Sequence, residues 1–62
     1  MIVTYIGPLH VKLEREDGAI FQIASDPHPD HPSEFYLDKA GDIDVVGYFP
    51  SIEAAIAAAK EA

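Results

Sequence analysis

The stretch LHVKLEREDGAIFQI, residues 9–23, decides the fold. Its first half alternates. Leu9, Val11 and Leu13 share one face while His10, Lys12 and Glu14 share the other, the period-two pattern of a strand buried on one side. Its second half alternates again, with Ala19, Phe21 and Ile23 on the apolar face. Between the halves, Glu16-Asp17-Gly18 carries the residue types of a tight hairpin loop. Two registers compete. A two-residue Asp17-Gly18 turn sets Leu13 against Gln22 and mismatches the faces. A three-residue loop, with Gly18 left-handed in a bulge, sets Leu13 against Phe21 and Val11 against Ile23. A one-residue slip turns every apolar side chain to the wrong side, so the second register is expected.

Upstream of the hairpin, residues 2–6 are Ile, Val, Thr, Tyr and Ile, all strand formers. Gly7-Pro8 interrupts them, and because proline cannot donate to a ladder the chain is expected to bend or bulge there, at a sheet edge. Downstream, residues 25–33 hold three prolines and form an exposed loop with an extended path. Residues 34–38 are read as a short aromatic-rich strand in preference to a short helix capped by Ser33 and stopped at Gly41. Lys39-Ala40-Gly41-Asp42 supplies a turn. Residues 43–49 follow as a further strand, with Ile43, Val45 and Phe49 on one face and Asp44, Val46 and Tyr48 on the other.

The last segment is a helix. Pro50 stops the strand, Ser51 is a good N-cap, Glu53 suits the positive end of the helix dipole and Lys60 the negative end. Ile52, Ala55, Ile56 and Ala59 fall on one helical face. The sum is an α+β domain covering residues 1–62: a mostly antiparallel sheet of about four strands, with one C-terminal helix packed across one face.

Sixty-two residues leave room for one small domain, with no second domain for a cofactor. There is no cysteine, so neither a disulfide nor a thiol nucleophile is available, which fits a reducing compartment. No apolar run approaches the ~20 residues of a membrane helix, and the opening residues lack a basic leader and a cleavage pattern. A soluble, cytoplasmic protein without membrane contact is expected. Eleven acids face four bases, a net charge of −7, and residues 26–44 alone hold six acids against Lys39. That field repels phosphate backbones and attracts basic surfaces. The same charge also serves solubility.

Few residue constellations suggest chemistry. His28 and His31 in the Asp26–Pro32 stretch are ligand types, and a polyproline path would turn both the same way, toward a metal ion or a pH-sensing role. The alternative is a stiff loop whose histidines meet solvent. His10 is expected to face outward, toward solvent or a partner. The carboxylate pairs Asp42 with Asp44 and Glu16 with Asp17 would need a cleft to act as acid and base, which a two-layer domain of this size seldom forms. No nucleophile elbow or glycine-rich phosphate loop occurs. Neither enzymatic activity nor a cofactor is expected.

The uncovered sheet face, expected to carry some of Val3, Tyr5, Ile20, Tyr36, Val46 and Tyr48, is more informative. Tyrosine is enriched at interfaces because it joins a broad apolar body to a hydroxyl. These features imply a small acidic protein-interaction module that docks on a basic, nucleic-acid-binding surface of a larger protein. Phage-encoded inhibitors of host defence nucleases share this size and charge. Asp26, Asp30, Glu34, Asp38, Asp42 and Asp44 would supply charge, and Tyr5, Tyr36 and Tyr48 contact. The alternatives are a metal-binding or pH-sensing module built on His28 and His31, or a subunit that pairs with its own kind, since open strand edges accept another chain and make a homodimer.

Overall fold

The computed structural model describes residues 1–25 and 34–62. Five strands, β1 (Ile2–Gly7), β2 (His10–Glu14), β3 (Ile20–Ser25), β4 (Phe35–Lys39) and β5 (Gly47–Phe49), form one antiparallel sheet in chain order, followed by the helix α1 (Ile52–Glu61). The α+β arrangement is as the hydrophobic pattern predicts. Among the described residues the strand count is five rather than about four, because the chain reverses through Gly7, Pro8 and Leu9 and pairs residues 2–7 with residues 10–14 as a separate hairpin. The expected irregularity is present: the β1–β2 register shifts between Tyr5 and Gly7. Leu9 stands in the turn and is exposed, off the apolar face its spacing suggested.

The β2–β3 hairpin has the register that apolar matching demands, with Leu13 opposite Phe21 and Val11 opposite Ile23. Gly18 sits at φ +90°, a region that side-chain-bearing residues avoid. Its N–H donates to the Arg15 carbonyl at 2.9 Å, and Arg15 N–H donates to the Ala19 carbonyl at 2.8 Å, closing the three-residue loop.

Between β4 and β5 the sequence reading overextends the strand. Asp42 N–H donates to the Lys39 carbonyl at 3.0 Å, closing a turn in which Gly41 takes φ +96°. Residues 43–46 then run outside the ladder and rejoin it where Val46 N–H donates to the Leu37 carbonyl at 2.7 Å. The turn closes before the two chains can continue pairing, and aspartates alternating with Ile43 and Val45 give this stretch little strand preference.

Helix α1 begins as its sequence predicts. Ser51, extended at φ −151°, accepts a hydrogen bond from Ala54 N–H on its hydroxyl at 3.1 Å. The helix packs on β3, β4 and β5. The core is Val11, Leu13, Phe21, Ile23 and Leu37 from the sheet, closed by Ala55 and Ala59 from the helix, with Phe35, Phe49, Ile52 and Ile56 packed around them. Two alanines at the seat let the helix lie close on the strands.

Candidate functional site

Antiparallel partners point to the same side of a sheet, so the register assigns the faces. The side away from the helix carries Thr4, Lys12 and Gln22 in one row with Asp38, and His10 and Ala24 in another with Tyr36 and Tyr48. Tyr36 and Tyr48 stand directly opposite each other on β4 and β5, both half-buried. Gln22 Nε2 donates to the Tyr36 hydroxyl at 3.4 Å. Asp38 lies two residues along β4 from Tyr36, on the same face. Beside it, Ile6, Lys12, Ile20, Gln22 and Ala40 line a shallow depression of about 150 Å³. His10 is on the outward face, as expected, but half-buried there, and its Nε2 is enclosed with no hydrogen-bond partner among the described residues.

The β4–β5 connection runs outside the ladder. Asp42 and Asp44 are exposed and flank Ile43, which is 99% exposed. An apolar side chain so fully presented between two carboxylates was not anticipated; its alternation with Asp42 and Asp44 read as one side of a strand. Lys39, the base set against six acids in residues 26–44, belongs to the opposite face. It pairs across the sheet with Phe21, and its Nζ lies 6.0 Å from the Phe21 ring centroid. The segment's one positive charge is therefore turned toward the helix side, away from Tyr36, Tyr48 and Asp38.

The other anticipated contact residues are dispersed. Tyr5 and Val3 sit opposite Val11 and Leu13, hence on the helix side of the sheet and not on the open face where they were expected. The register shift lies beyond Tyr5 and leaves this assignment intact. Because α1 covers β3 to β5, both remain exposed on the edge strand. Glu34 is half-buried and precedes β4, at the end remote from Asp42 and Asp44. Asp26, Asp30, His28 and His31, and with them the metal and pH readings of the proline-rich loop, lie outside the described residues. Among the described residues no group of three or more metal-ligating side chains converges, and no helix is long and apolar enough to cross a membrane.

Among the described residues the shifted titrations lie in the β2–β3 loop. Hydrogen bonds from the Arg15 guanidinium, then from Ala19 N–H, bring the Asp17 carboxyl down from 3.8 to about 2, and the same pairing raises Arg15. These groups lie in the loop next to the helix C-terminus, where Arg15 also bonds the Ala59 carbonyl at 2.9 Å. Their part is structural. No protein-family model matches the chain, no curated protein matches it, and no solved structure matches it.

Proposed function

We propose that this chain is a protein-interaction module that docks an acidic, tyrosine-bearing sheet face on a basic surface of a larger protein. The basic surface is of the kind that otherwise binds nucleic acid, so that occupancy by this chain inhibits it. The observation that carries the reading is the separation across β4: Lys39 is drawn to Phe21 on one side, while Tyr36, Tyr48 and Asp38 share the other, with Lys12 further along the row of Asp38 and with Asp42, Ile43 and Asp44 exposed in the connection that follows β4. Paired tyrosines and an exposed isoleucine supply apolar contact at the centre of such a patch, and the aspartates steer and orient the approach. Carboxylates held along a strand and turn stand where phosphates of a displaced nucleic acid would lie.

The test is binding of the immobilised chain to a panel of purified nucleic-acid-binding proteins, with duplex DNA as competitor. For a partner recognised in this way, DNA displaces the chain and affinity falls with added salt, since exposed ion pairs are screened. Tyr36→Ala or Tyr48→Ala should weaken the complex more than Asp42→Asn or Asp44→Asn, because desolvated aromatics dominate contact energies and rim charges chiefly set the rate of encounter. Binding indifferent to both DNA and salt would overturn the reading.

A further inference from the structure

A second surface, independent of the acidic face, lies at the opposite edge of the sheet. Strand β1 is the edge strand, and all its residues from Ile2 to Ile6 are exposed. Ile2, Tyr5 and Ile6 are each 60% exposed and Val3 40%. Long apolar edge strands are uncommon because they template pairing; natural edges are usually guarded by a charge, an internal proline, a bulge or a cover, and the register shift of β1 lies between Tyr5 and Gly7, beyond the residues 3–5 that meet here. Residues 2–7 contain no charged residue and no proline, although the chain as a whole carries −7.

The ladder fixes which backbone groups of β1 face outward. On β2, Arg15 N–H donates to the Ala19 carbonyl, and the Leu9 carbonyl accepts from Ser25 N–H, so the odd-numbered residues of this stretch bond toward β3. Backbone groups alternate in direction, so the even-numbered residues bond toward β1. The register pairs Lys12 with Thr4 and Glu14 with Ile2. Thr4 and Ile2 therefore bond inward, and the N–H and C=O of Val3 and Tyr5 point out of the sheet with no partner among the described residues.

We infer that β1 pairs with β1 of a second copy of this chain, antiparallel about a two-fold axis through Thr4. This register sets Val3 opposite the second copy's Tyr5, and Tyr5 opposite its Val3. The four outward-facing residues meet in two pairs that exchange four hydrogen bonds. On the helix side each Val3 packs beside a Tyr5, and on the open side the two Thr4 side chains meet at the axis. No pair sets like charges together. A two-fold contact must be self-complementary, and this strand satisfies that both in its backbone and in its side chains. A basic partner, by contrast, has no carboxylate on this strand to recognise. A standard interface buries about 800 Å² per partner, about a fifth of the 4012 Å² surface of this chain. A single strand edge offers less, so the dimer is reversible, in the micromolar-to-millimolar range of weak complexes.

Sedimentation of the pure chain across this concentration range tests the inference, together with amide exchange. The expected result is a monomer–dimer equilibrium that tightens with added salt, because two acidic copies repel less when screened. Amide protons of Val3 and Tyr5 should gain protection as concentration rises, while that of Thr4 is protected throughout. Thr4→Glu should weaken the dimer at least tenfold: it sets two carboxylates at the axis, whereas within one chain it faces Lys12 and keeps the fold. Val3→Pro removes an outward N–H without breaking a bond to β2 and should act alike. Tyr36→Ala should leave the dimer unchanged. A chain that stays monomeric throughout this range, Val3 and Tyr5 amides whose exchange ignores concentration, or a dimer that survives both β1 variants would overturn the inference.

Discussion

Arg15 joins the two ends of the folding problem. Its Nε and Nη2 donate to the two carboxylate oxygens of Asp17 at 2.9 and 2.8 Å, while Nη1 donates to the Ala59 carbonyl at 2.9 Å and to that of Ala62. The guanidinium also lies 5.2 Å from the Phe21 ring centroid. The last carbonyls of a helix have no partner within it and carry the negative end of its dipole, so a cation held there both satisfies and stabilises them. Asp17 fixes the fork in place. Its folded pKa of about 2 lies below the ordinary 3.8, so its stabilising contribution is full above the ordinary value and disappears as pH falls from about 4 through about 2. Asp17→Asn should therefore melt at a lower temperature than the parent at pH 7, and the gap should close as the pH is lowered through that window. Melting curves recorded at several pH values check this; a gap unchanged at the acid end would remove the ion pair from the account. None of this was visible in the sequence, where Arg15 is simply a loop residue, because its helix partner is forty-four positions away.

At the scale of the element, the helix is the best-specified part of the chain and the β4–β5 connection the worst. Ser51, Glu53 and Lys60 mark the helix from local chemistry alone, and the spacing of Ala55 and Ala59 names the face that becomes fully buried. That seat makes a prediction. Ala55→Leu or Ala59→Leu forces extra methylenes between helix and sheet and should destabilise by about 1–3 kcal/mol. Ala57→Leu, on the exposed side, should change stability by less than about 0.5 kcal/mol. Urea denaturation of the three variants measures the difference, and equal effects would show that the helix is not seated on its alanines. The hairpin register was legible for a related reason: one slip exposes a whole apolar row, so a single solution survives. Residues 43–46 carried no such penalty. Ile43 and Val45 alternate with aspartates as a strand would, but whether they pair depends on where the turn at Gly41 closes, which is a property of backbone hydrogen bonds and not of the pattern. The candidate site was half legible for the same reason. The pairing of Tyr36 with Tyr48 follows from strand order, whereas the turning of Lys39 toward Phe21 follows from the β3–β4 register, and the removal of Tyr5 to the far edge from how β1 folds back.

For the whole molecule, size governs everything else. At about 0.05–0.15 kcal/mol per residue, a domain of 62 residues is stable by only about 3–9 kcal/mol. No cysteine is present to add a staple. Among the described residues the fully buried set is five sheet residues and two alanines, so each large member carries a sizeable share of that margin. Leu37 sits at the point where the layers meet. It is paired with Ile23 on one side and Gly47 on the other, on the strand that the helix packs against. Truncation there removes transfer energy and leaves a cavity that β3, β5 and α1 together cannot fill. Leu37→Ala should cost about 2–5 kcal/mol, comparable with the whole stability of the domain, and leave a substantial unfolded fraction at room temperature. Val46→Ala, nine positions on in the exposed connection, should shift stability by less than about 0.5 kcal/mol. Circular dichroism through a urea titration distinguishes the two. A Leu37→Ala chain that unfolds at nearly the parental midpoint would mean that stability resides in something other than this core, and the helix-covered half of the sheet would lose its claim to be the part that holds the rest.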